Sequence, residues 1–176
     1  MAPVWNESLL RTVGRWGLAL LVLFVLLALS AAPLEIAHLG EIRPVFMLMT
    51  VYYWTILRPS LLPPAVVFLI GLVLDLLSAY PLGMHALIFV VAQGLTRSQR
   101  KFLLGQSFLV IWAGFALVAL GAGLAQWALF ALFNLALLSA KPMLMSVLVS
   151  GLLFPLAALP LAMVHRALID DPSAAP

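Results

Sequence analysis

From Phe102 to Ala140 the chain runs without a single ionisable side chain. A water-soluble domain cannot shelter so long an uncharged, Leu- and Ala-rich run, because its neighbours would have to bury it on every side. The rest of the chain has the same character. Of its 176 residues, 65% are hydrophobic and 9% are charged, against about 45–50% and about 25% in soluble domains. With a mean hydropathy of +1.20, the natural solvent is a bilayer, and the sequence predicts an integral membrane protein.

The apolar runs are long and do not alternate, so they read as helices rather than barrel strands. Six spans are expected, at about 17–34, 44–58, 62–79, 83–96, 102–124 and 143–164, in one membrane domain covering 1–176. The first resembles a signal peptide, with Arg11 and Arg15 ahead of it and "ALSAAP" at its end. Its length and the following proline favour a retained helix. The second, between Arg43-Pro44 and Arg58-Pro59, reaches only about 22 Å at 1.5 Å per residue. Pro44 suits a helix start and Pro59 a stop, and arginines at both ends can snorkel outward. Tyr52, Tyr53 and Trp54 are expected at the inner headgroups. The run 102–140 is open to three readings: a helix ended by Gly121 and Gly123 with an interfacial remainder, one helix continuing to about Asn134, or an extra span.

Lys and Arg fix the orientation. With the N-terminus inside, Arg11, Arg15, Arg58, Arg97, Arg100, Lys101 and Arg166 are cytoplasmic, and only Arg43 and Lys141 are outside. That division obeys the positive-inside rule and predicts both termini, 1–14 and 168–176, in the cytoplasm.

Several function classes are disfavoured. There is no Cys, hence no disulfide and no thiolate metal site. His38, His85 and His165 lie far apart, so neither a metal nor a cofactor is expected. The formal charge of +3 is scattered between apolar runs and forms no nucleic-acid face. No nucleotide, metalloprotease or hydrolase motif is present, and the extramembrane segments are short, so the chain is not expected to be an enzyme.

Asp75 is the exception to the apolar pattern, inside "FLIGLVLDLLSAYPLGMHAL" (68–87). An acid at the bilayer centre costs roughly 2.5–3.5 kcal/mol, so it is expected to face protein. "SAYPLG" reads as a turn, with Pro81 halting one helix and Gly83 permitting unusual backbone angles. The tight hairpin brings His85 near Asp75, with Ser78 a further candidate partner. Three roles stand open for Asp75: pinning the hairpin, binding a ligand or ion, or meeting a partner protein.

"TRSQRK" reads as a basic cytoplasmic loop whose Arg97, Arg100 and Lys101 control topology or meet anionic lipid or a partner. Ala28…Ala32, Ala119…Gly123 and Ala158…Ala162 have the spacing of close helix contacts. Pro155 and Pro160 fall inside the sixth span, where kinks are expected, with neighbours or water satisfying the freed carbonyls. Gln106, Gln126 and Asn134 are expected to hydrogen-bond between helices or at the interface.

"RPVFMLMTVYYW" (43–54), Arg58-Pro59 and "GLVLDLLSAYPLGMHAL" (71–87) resemble the MreD family of rod shape-determining membrane proteins. The motif positions are Arg43, Pro44, Trp54, Arg58, Pro59, Gly71, Asp75, Pro81, Leu82, Gly83 and His85. Val45 departs from the pattern, since a polar or acidic residue often follows Arg-Pro in that family. The resemblance implies a six-helix fold similar to the substrate-binding subunits of energy-coupling-factor vitamin transporters. It also implies a non-catalytic scaffold in the bacterial cytoplasmic membrane. That scaffold would dock the membrane helix of MreC and work with MreB, RodA and the elongation-specific transpeptidase to keep cells rod-shaped.

Two rivals remain. A vitamin-type binding subunit of a transporter needs several convergent polar groups, and Asp75, His85, Gln126 and Asn134 are the candidates. A binder of lipid-linked precursor needs a basic outer groove, and the outer charge is too sparse for one.

Overall fold

The computed structural model describes residues 21–22, 24–30, 34–36, 40–42, 45–78, 80–135 and 139–169. Among these, α1 occupies 24–30. A small hairpin follows, β1 (Leu34–Ile36) and β2 (Gly40–Ile42). The remaining helices are α2 (Phe46–Leu57), α3 (Pro64–Ser78), α4 (Met84–Leu103), α5 (Phe108–Asn134) and α6 (Lys141–Ile169). Arg43 and Pro44, and the basic pair Arg11 and Arg15, lie outside the described residues.

The bundle is built around its shortest full helix. Nine residues of α2 are buried, Met47 to Tyr52 and Trp54 to Ile56, and the helix packs on α4, α6 and α5. α3 pairs with α4, and α5 with α6. Tyr52 presents its ring edge to Phe115 and Phe154, whose rings stack at 4.4 Å. Its hydroxyl donates to the Ile111 carbonyl at 2.9 Å. Tyr52 and Trp54 therefore belong to the core, which corrects their expected place in a headgroup belt. Burial is decided by contact with four other helices, and a uniformly apolar stretch carries no periodicity that would reveal it.

At 12 residues, α2 spans about 18 Å, well short of a hydrocarbon layer of about 30 Å. Its ends have orphan amides and carbonyls that hydrocarbon cannot satisfy, so other helices supply partners. Ser150 Oγ of α6 accepts the Val45 N–H at 3.0 Å, and Ser30 Oγ of α1 accepts the Met47 N–H at 2.9 Å. At the other end Arg100 Nε donates to the Ile56 carbonyl at 2.7 Å. Just beyond, Gln93 Nε2 donates to the Leu62 carbonyl at 2.6 Å.

Among the described residues, two helices, α5 and α6, are long and apolar enough to cross a membrane, whereas α2 and α3 are shorter apolar helices. Large apolar side chains face outward, among them Leu117 at 76% and Leu152 at 72% exposure, the inverse of a soluble surface.

Several expectations need correction. Residues 97–101 are helical, so "TRSQRK" is the end of α4 rather than a loop. The fifth helix starts at Phe108 rather than 102 and runs past 124, through Gly121 and Gly123, to Asn134, which is the second of the three readings open for that run. An uninterrupted run without a proline gives it no reason to stop. α6 likewise continues through Pro155 and Pro160 to Ile169. Leu34, expected at the end of the first span, begins β1, so one small hairpin accompanies an otherwise all-helical fold. The strands pair antiparallel, Leu34 opposite Ile42 and Ile36 opposite Gly40. Their shared apolar–Glu–apolar pattern is the period of a strand, although three residues are too few to stand out.

Candidate functional site

The α3–α4 hairpin carries most of the residues picked out from sequence. Gly71 and Ala86 set its crossing: a Cβ on Gly71 would lie 2.3 Å from Ala86 Cα and 2.5 Å from its N. Only a residue without a side chain lets the two backbones meet there. One turn further along, that closeness places Asp75 against the start of α4.

Gly83, the N-cap of α4, takes φ 92°, a region that side chains disfavour. It provides no side-chain cap of its own, and Asp75 takes that part from the neighbouring helix. Oδ2 accepts the Gly83 N–H at 2.9 Å, and Oδ1 accepts the His85 N–H at 3.0 Å. His85 Nδ1 lies 2.6 Å from the same Oδ1. The carboxylate is fully buried, at 0% exposure. It sits at the positive end of a helix dipole with three donors converging on it, an arrangement that offsets the loss of water. The hairpin is then closed by Tyr80 N–H on the Asp75 carbonyl at 3.3 Å and Met84 N–H on the Pro81 carbonyl at 3.2 Å.

With Nδ1–H engaged by Asp75, His85 Nε2 is left as the acceptor of the imidazole. Gln126 Nε2 of α5 lies 3.3 Å from that nitrogen. A polar chain, Asp75–His85–Gln126, thus runs from α3 through α4 to α5. Aromatic edges flank it: Tyr80 stands 5.0 Å from the His85 ring, Phe89 5.8 Å from it, and Phe130 5.8 Å from Tyr80.

This chain borders a cavity of about 470 Å³. It is lined by Leu48, Leu74, Phe89 and Ala119, and, near the helix ends, by Tyr80, Ser139 and Pro142. Buried Ser78 lines it beside His85. The Ala119–Gly123 spacing lies on this wall, where a Cβ on Gly123 would come within 2.7 Å of Val147 on α6.

The other candidate residues do not join this site. Trp54 is buried against the His165 ring at 5.8 Å. Arg58 is the half-buried C-cap of α2, its N–H on the Trp54 carbonyl at 2.8 Å, and Pro59 starts the turn to α3. Arg97 and Lys101 are exposed on α4, whereas Arg100 is half-buried on α2. Asn134 bonds the Phe130 carbonyl of its own helix. Ser30, Gln93 and Ser150 are polar anchors that sequence reading overlooked. Their one signal was a polar residue in an otherwise apolar run. Among the described residues, no group of three or more His, Asp or Glu is placed to hold a metal.

Comparison with known proteins gives one positive result. No curated protein and no solved structure matches the chain. The family model for rod shape-determining protein MreD matches residues 10–164, which takes in the whole α3–α4 hairpin and every described helix up to the last turn of α6. The chain belongs to the MreD family, whose members act in rod shape determination.

Proposed function

We propose that this protein is a non-catalytic scaffold of the bacterial cell-elongation complex. It crosses the cytoplasmic membrane six times with both ends inside, docks the membrane helix of MreC, and lies near MreB. Through that assembly it works with RodA and the elongation-specific transpeptidase. Family membership supports the shape-determining role and gives no support to a transporter subunit. The excess of basic residues on the proposed inner side supports the orientation.

The observation that carries the docking role is a row on α6. Leu144, Leu148, Leu152, Leu156, Leu159 and Met163 recur at helical spacing, each at least 45% exposed. Such a ridge can receive a single membrane helix by van der Waals packing, the chief source of affinity between helices in lipid.

The chain has no native Cys, so single cysteines can be read without background. Leu148→Cys or Leu152→Cys should cross-link to a cysteine in the membrane helix of MreC from the same cell, and Leu117→Cys on α5 should not. If MreC neither cross-links nor co-purifies in mild detergent, the scaffold reading fails.

A further inference from the structure

We infer that the Leu156 carbonyl on α6 is a hydrogen-bond acceptor left open inside the membrane, and that a hydroxyl, amide or indole donor of a docked membrane helix fills it. The inference rests on the docking role proposed for the α6 row and adds the chemistry that the docked helix must carry. Two prolines interrupt α6, and each removes the amide that would serve the carbonyl four residues back. Pro155 frees Gly151, and Pro160 frees Leu156. The two carbonyls differ in what replaces the lost bond. Gly151 accepts the Trp112 indole N–H of α5 at 2.7 Å, so it is satisfied inside the bundle. Among the described residues, no side chain and no amide from outside α6 donates to Leu156.

Position decides which donor can reach it. Phe154, Ala157, Leu161 and Val164 are buried and turn one face of α6 to the bundle, while Leu156, Leu159 and Met163 are exposed on the other. Pro160 stands half-buried among these outward residues. A helix carbonyl points along the axis toward the residue four ahead, so the Leu156 oxygen opens beside Pro160 at the outward face. Lys141 lies fifteen residues before Leu156 and Arg166 ten residues after it. At 1.5 Å per residue those charged ends are about 22 Å and about 15 Å away. The carbonyl is therefore at hydrocarbon depth on a helix able to cross a membrane, where no water takes the place of the missing amide.

A carbonyl only accepts, so the docked helix has to bring the donor. Ser, Thr, Asn, Gln, Tyr and Trp can do so without a charge, whereas Lys and Arg are costly at that depth. The donor should lie about 15 Å, or roughly ten residues of helix, from the inner end of its own span. Its effect is on register as much as on affinity. A row of leucines packs almost equally well against a partner shifted by one turn, and a single polar contact removes that freedom, as buried polar residues do in coiled coils.

The test measures association of the full chain with full-length MreC from the same cell in lipid vesicles, by energy transfer between dyes on single introduced cysteines. Pro160→Ala returns an amide to the Leu156 carbonyl. It should weaken association about three- to twentyfold, the range of one hydrogen bond between membrane helices. Pro155→Ala also takes a proline from α6, but Trp112 already serves Gly151, so association should be unchanged. In MreC, each uncharged donor of the membrane helix is replaced by alanine in turn. One replacement should cost as much as Pro160→Ala and add nothing when combined with it. That scan decides alone if Pro160→Ala fails to insert. Without association of the wild-type pair, the docking role fails and the inference with it. Association that Pro160→Ala leaves intact keeps the docking role and overturns the inference. Equal losses in the two proline variants assign the effect to the bend of α6 and overturn it too, as does a scan in which no donor position matters.

Discussion

The Trp112 indole N–H on α5 donates to the Gly151 carbonyl on α6 at 2.7 Å, and Gly151 is the residue four before Pro155. A proline inside a helix has no N–H to give the carbonyl one turn back, and in lipid no water replaces it. Trp112 therefore repairs the backbone bond that Pro155 removes, and α6 continues to Ile169. Trp112→Phe should lower stability by about 1–2 kcal/mol, the cost of an unsatisfied buried acceptor. In a Pro155→Ala background the carbonyl regains its helical partner, so the same change should cost much less. A double-mutant cycle of thermal midpoints in detergent measures that coupling. Strict additivity would refute the pairing.

Gly71→Ala sets two effects against each other. Alanine favours a helix over glycine by about 1 kcal/mol. Its methyl would nevertheless stand 2.3 Å from Ala86 Cα, a collision with backbone that side-chain rotation cannot relieve. Overpacking costs about 1–3 kcal/mol, occasionally more, so the steric term wins. The variant should melt lower and open the α3–α4 pair, seen as faster hydrogen exchange at Asp75, Gly83 and His85. A higher midpoint would show that the helices do not approach as described.

Asp75→Asn removes one of two acceptor oxygens and puts an NH₂ group where a backbone N–H already points. With Gly83, His85 and the imidazole all aimed at the carboxylate, the loss should be about 2–4 kcal/mol, judged from hydrogen bonds to charged groups. The protein should still insert, at normal abundance in the membrane fraction, with a lowered thermal midpoint. An unchanged midpoint would exclude the capping role.

Asp75 and His85 were legible because ionisable residues in an apolar chain have few places to go, and a six-residue turn leaves them little freedom. The buried position of α2 was not legible. Its sequence is apolar on every face, and which neighbours cover it depends on tertiary packing. Arg100 illustrates the same gap: in sequence it is equivalent to Arg97 and Lys101, and only the fold turns it toward the Ile56 carbonyl. The α3–α4 hairpin could be read because its signals are local, whereas the cavity unites residues from Ser30 to Val147 that no spacing connects.

That distinction between Arg100 and its neighbours can be measured. Arg100→Gln should destabilise the protein by about 1–2 kcal/mol, since it uncaps a helix end that lipid cannot solvate. Arg97→Gln and Lys101→Gln should each change stability by less than about 0.5 kcal/mol, as exposed substitutions usually do. The exposed pair should instead weaken association with anionic vesicles, by about 1 kcal/mol per residue near a charged surface. Equal stability losses at all three positions would contradict the placement of Arg100.

The proposed orientation puts the tip of the α3–α4 turn and the basic end of α4 on opposite sides of the membrane. Leu82 is 69% exposed at that tip, and Lys101 is exposed at the far end of α4. The 20 residues of α4 extend about 30 Å, enough to cross the hydrocarbon layer. In the cysteine-free chain, Leu82→Cys should react with a membrane-impermeant maleimide added to intact spheroplasts. Lys101→Cys should react only after permeabilisation. The reverse pattern would invert the bundle. Labelling of both positions from one side would mean that α4 does not span the bilayer.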